Sequence, residues 1–83
     1  MSSRREELQD AIRVLLDQRS EGKTVCPSEA ARKVFPDNWR EHMEETREVG
    51  IELARKGEIE ICQGGEPVQD FQFRGPIRFR KIQ

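Results

Sequence analysis

Two cysteines, one histidine, one tryptophan and no tyrosine among 83 residues leave little material for several common chemistries. With so few cysteines and no Cys-x-x-Cys pair, a disulfide framework is excluded, and Cys26 and Cys62 read as reduced thiols. Together with His42 they would leave a zinc ion one ligand short, at spacings diagnostic of no metal site, so no metal is expected. A lone histidine without a paired serine or a reactive-cysteine motif makes no visible triad. Gly64-Gly65 is a tight-turn signal and not a phosphate loop, because no helix N-terminus follows it. Neither an enzyme nor a cofactor is therefore expected. No apolar stretch approaches the ~18 residues that span a bilayer. The opening Met1-Ser2-Ser3-Arg4-Arg5-Glu6-Glu7 lacks the apolar core of a signal peptide, which makes the cytoplasm the expected compartment. Internal repeats, linkers and low-complexity tracts are missing as well.

What is present is charge. Charged residues make up 37% of the chain and hydrophobic ones 34%, so one small domain must rest on an economical core in which four Phe and one Trp carry much of the area. The charge is unevenly spread. Residues 1–35 carry seven basic and six acidic side chains, residues 36–62 carry four and eight, and residues 63–83 carry four and two. The middle block is thus strongly acidic.

Periodicity assigns the elements. Ser3-x-x-Glu6 is a capping box, and Leu8, Ala11, Ile12, Leu15 and Leu16 form an apolar stripe behind it, which predicts a first helix over about 4–19. Lys23 to Cys26 reads as a short extended piece. Pro27 pre-sets the first turn of a second helix over about 28–35, with Ala30, Ala31, Val34 and Phe35 facing inward. Pro36 breaks that helix, and Asn38-x-x-Glu41 is a second capping signal. A third helix over about 39–56 then buries Trp39, Met43, Thr46, Gly50, Leu53 and Ala54, with Val49 at the margin, and Gly57 stops it. The hairpin region, about 58–82, alternates: Ile59, Ile61, Ile77 and Phe79 face in, while Glu58, Glu60, Cys62, Arg78 and Arg80 face out. Phe71 and Phe73 share the inward parity, so the return strand is expected to begin near Phe71. Pro76 belongs at an edge or bulge. The expected fold is α+β, mainly α: a winged helix-turn-helix of three helices and a small antiparallel sheet with a wing, in one domain over residues 1–83.

Four stretches carry a resemblance: Cys26-Pro27-Ser28-Glu29-Ala30-Ala31-Arg32, Asn38-Trp39-Arg40 with Met43, the segment from Leu53 to Ile61, and Arg74-Gly75-Pro76-Ile77-Arg78. They resemble a family of small bacterial proteins known as domain of unknown function 3253, over nearly the whole chain after the first helix. The resemblance implies a winged-helix-like, usually free-standing domain, and it implies no activity.

A winged helix commonly lays its third helix in the major groove of DNA and its wing against the backbone, with affinity drawn from neutralised phosphates. On that reading Arg40 and Arg47 are the helix contacts, and Arg74, Arg78 and Lys81 the backbone contacts. Glu41, Glu44, Glu45, Glu48 and Glu52 on the same helix oppose it. Arg78 and Arg80 also have a structural use, since a simple register sets them across from Glu60 and Glu58. The alternative is a protein-docking module that presents the acidic third helix and an aromatic wing of Val68, Phe71 and Phe73 to a basic partner. The oligomeric state is left open.

Overall fold

The computed structural model describes residues 3–19, 22–68 and 75–82. Phe71, Phe73 and Arg74 lie outside these, as does the expected start of the return strand.

The first helix, α1 (Arg4–Gln18), begins where the capping signal places it: the Ser3 hydroxyl accepts from the Glu6 amide at 3.1 Å. Its stripe buries Leu8, Ala11, Ile12 and Leu16, with Leu15 half-covered. A two-residue strand, β1 (Thr24–Val25), leads into α2 (Pro27–Val34). Cys26 is its N-cap and Pro27 its first residue, and the Glu29 carboxylate accepts from the Cys26 amide at 2.8 Å. Pro27, Ala30 and Ala31 are buried, and the small alanines let α1 and α3 approach closely.

The third helix is not continuous. Residues Trp39–His42 form a 3-10 turn, and only Met43–Arg55 are α-helical (α3). Pro36 disfavours helical geometry in the residue before it, and Phe35 sits at φ −127°, ψ 70°. Asn38 does not cap as expected: its side-chain amide donates to Glu41 and faces His42 instead of binding a helix amide. Thr46 is buried, and its hydroxyl donates to the His42 carbonyl at 2.6 Å across the junction between the two helical segments. Trp39, Met43 and Ala54 are only half-buried, whereas Val49, expected at the margin, is wholly buried.

At its far end α3 closes in a Schellman arrangement. Gly57 takes φ +79°, its amide reaches the Ala54 carbonyl, and the Glu58 amide reaches that of Leu53, both at 3.0 Å. The chain enters β2 (Ile59–Gln63) and turns through Gly64-Gly65, both at positive φ, into β3 (Glu66–Pro67). The last strand, β4 (Arg78–Lys81), returns on the other side of β2 and is flanked in turn by β1, which makes a four-stranded antiparallel sheet in the order β1-β4-β2-β3.

The register differs from the expected one by two residues. Glu60 lies opposite Arg80, Cys62 opposite Arg78 and Ile61 opposite Phe79. Arg80 therefore pairs with Glu60, and Glu58 is released toward α1. Cys62 keeps the outward parity of Glu60 yet is buried there, flanked by Arg78 on one side and Pro67 on the other. Phe79, the largest fully buried side chain, packs with Leu8, Ile12, Val49, Leu53 and Ile61 where the sheet meets the helices. Its ring lies directly over Gly50, the one position of α3 with no side chain.

Candidate nucleic-acid interface

Two sets of cations stand out among the described residues. The first is spent on carboxylates. Arg4 reaches Glu45 at 3.9 Å, while Arg5 reaches Glu52 at 2.5 Å and Glu48 at 3.7 Å. Arg13 takes Glu58 at 2.9 Å, Arg19 takes Glu29, and Lys81 takes Asp17 at 3.2 Å. Arg80 holds Glu60 through two nitrogens at 2.6 and 3.0 Å. The hydrogen bonds that Arg80 and Arg13 donate to Glu60 and Glu58 raise the pKa of both guanidiniums.

Three of the five glutamates that opposed nucleic-acid contact, Glu45, Glu48 and Glu52, thus turn toward the N-terminal turns of α1, where two arginines offset them. Glu41 accepts from Asn38 at 3.4 Å. Glu44 stays exposed.

The second set has no carboxylate within ion-pair distance among the described residues. Arg40 lies over the Trp39 ring, 5.0 Å from its centroid. Arg47 donates to the Gly75 carbonyl at 3.1 Å, which ties α3 to the segment leading into β4. Arg78 donates to the Thr24 hydroxyl at 2.5 Å, bridging β4 and β1. Each of these three engages a neutral partner, and a guanidinium carries five N–H donors, so most of its donors stay available. Of the expected contacts, then, Arg40, Arg47 and Arg78 meet no carboxylate among the described residues, Lys81 shares its charge with Asp17, and Arg74 lies outside the described residues.

One residue was missed by sequence reasoning. Arg32, exposed in the last turn of α2, stands over the same Trp39 ring at 4.3 Å. No periodicity links the two positions, because the break at Pro36 lies between them. The neighbouring Lys33 faces the other way, into an open groove between α1 and α2 lined by Glu7, Asp10 and Val14.

The remaining candidates are used structurally. His42 stacks on Phe35, with ring centroids 3.7 Å apart and planes 14° from parallel, and its edge meets Glu45 and Asn38. Cys26 caps α2, and burial pushes the Cys62 thiol pKa up. Among the described residues no three His, Cys, Asp or Glu side chains come together as a metal site, and no described helix is long and apolar enough to cross a membrane.

The model of the family described as protein of unknown function (DUF3253) matches residues 5–82, nearly the whole chain, and the chain belongs to that family. No curated protein matches it.

Proposed function

We propose that this DUF3253 member is a non-enzymatic winged-helix domain that binds nucleic acid through the α2–α3 corner, the wing-side flank of α3 and β4. The element order and the placing of β4 between β1 and β2 support the winged-helix reading. The observation that carries the binding reading is the division of charge. The acidic flank of α3 faces α1 and is offset by Arg4 and Arg5, while Arg32, Arg40, Arg47 and Arg78 have no carboxylate within ion-pair distance among the described residues. Net composition hides this, because it counts glutamates that are already engaged. Repulsion between those glutamates and phosphate is correspondingly reduced.

The same division weakens the docking alternative, since a basic partner would have to displace Arg4 and Arg5 to reach Glu45, Glu48 and Glu52.

The test is anisotropy of a labelled mixed-sequence duplex titrated with the full chain at two salt concentrations. Three to four phosphate contacts give a log–log salt slope of about −3, a loss on the order of 60-fold between ~50 and ~200 mM salt. A chain that shows no binding at the lower concentration is not a nucleic-acid-binding protein. Capture of a basic peptide by the same sample would instead point to docking.

A further inference from the structure

We propose that the corner between α2 and the 3-10 turn is a clamp for backbone phosphates, in which Arg32 and Arg40 are the donors and Trp39 holds both guanidiniums in place. The proposal rests on the nucleic-acid reading and specifies which part of the ligand this corner takes.

Both guanidinium carbons sit on one indole, at 4.3 and 5.0 Å from its centroid, so the two charges lie within about 9 Å of each other. That span covers two or three axial steps of a single strand at ~3.4 Å each. Glu29 is the nearest acid to Arg32 in sequence and Glu41 the nearest to Arg40, yet neither of them, nor Asp37, is within ion-pair distance of either arginine: Glu29 is held by Arg19 and Glu41 by Asn38. Two like charges brought this close with no counter-ion among the described residues form a local positive focus, and an anion is what relieves it.

The manner of holding matters as much as the charge. A guanidinium stacked on an aromatic ring presents its flat face to the ring and keeps its N–H edge free, and that edge is what grips a phosphate with two parallel hydrogen bonds. Arg5, Arg13 and Arg80 have given their edges to carboxylates. Arg32 and Arg40 have not, and their side chains are already partly ordered by the indole, so less rotamer entropy is lost on binding. Trp39 itself is half-buried at the start of the turn that follows Pro36. Phosphates are common to every sequence, so contact here positions the nucleic acid without reading its bases.

Trp39 is the sole tryptophan and the chain has no tyrosine, so intrinsic fluorescence reports on this corner alone. Duplex binding is expected to change that emission. In the anisotropy assay, Arg32→Ala and Arg40→Ala should each flatten the salt slope by about 1, which removes roughly 3.5-fold of the affinity change between ~50 and ~200 mM salt. Trp39→Phe keeps an aromatic face and should bind nearly as the parent does. Trp39→Leu should bind more weakly with both arginines intact, a loss that marks Trp39 as a positioning residue. Both arginines are exposed, and unchanged far-UV circular dichroism verifies that the variants fold. If the parent binds duplex and both arginine variants keep its affinity and slope, the clamp is refuted while the nucleic-acid reading stands. If the parent binds no duplex at low salt, both fall together.

Discussion

Gly50→Ala is the substitution on which helix propensity and tertiary packing disagree most sharply. In an isolated helix alanine is favoured over glycine by about 1 kcal/mol. Here a Cβ at position 50 would sit 2.2 Å from Cε1, 2.3 Å from Cζ and 3.1 Å from Cδ1 of Phe79. Carbon atoms prefer separations of about 3.5–4.0 Å, so two contacts are short by more than 1 Å. Phe79 has no exposed surface, which leaves its ring nowhere to swing without moving α3 or β2. Overpacking of this kind costs about 1–3 kcal/mol, and a clash this deep belongs at the upper end. Less the propensity gain, the net loss is about 2 kcal/mol, or roughly 10 °C in Tm for a domain of this size. Thermal and urea unfolding followed by far-UV circular dichroism measure it. A variant as stable as the parent, or more so, would refute the reasoning. Shortening the opposing side chain supplies an internal check: Gly50→Ala combined with Phe79→Leu should lose less stability than the sum of the two single changes.

Gly57→Ala has open space around its Cβ, so only the left-handed backbone opposes it, and the expected loss in urea unfolding is about 1–2 kcal/mol. Arg5→Ala uncovers Glu48 and Glu52, and should weaken duplex binding in the anisotropy assay although Arg5 is placed on no phosphate. Its effect on stability should stay within about 1 kcal/mol, because the pair is solvent-exposed. Burial raises the Cys62 pKa above its ordinary value, so the neutral thiol contributes stability that is complete below about pH 9 and lost as pH rises through the folded value. Cys62→Ala should accordingly show a shallower fall in Tm from about pH 8 to about pH 10, and parallel curves would contradict the assignment. In native alkylation followed by mass spectrometry, the half-buried Cys26 should react well before the fully buried Cys62.

The helices were legible from spacing because the stripe of Leu8, Ala11, Ile12 and Leu16, like the stop at Gly57, depends on neighbours within a turn or two. Strand parity was legible for the same reason, since alternation alone placed Ile59, Ile61, Ile77 and Phe79 inward. The register was not, because parity is unchanged by a shift of two residues. It was decided by the packing of Ile61 beside Phe79 and by the diversion of Glu58 to Arg13 on α1. The single helix expected from Trp39 onward became a 3-10 turn and an α-helix, a change of helix type between His42 and Met43 that the spacing of apolar residues does not report.

For the candidate interface the sequence determined which charges exist and that α3 is rich in glutamate. Only the tertiary structure decided which of those charges are already matched. Arg5 meets Glu52 across 47 residues of chain and Arg32 meets Arg40 over the ring of Trp39, pairings that follow from how helices pack and not from any local period. Electrostatic interaction depends on distance in space, and spacing along the chain reports that distance only within a helix turn or a strand pair.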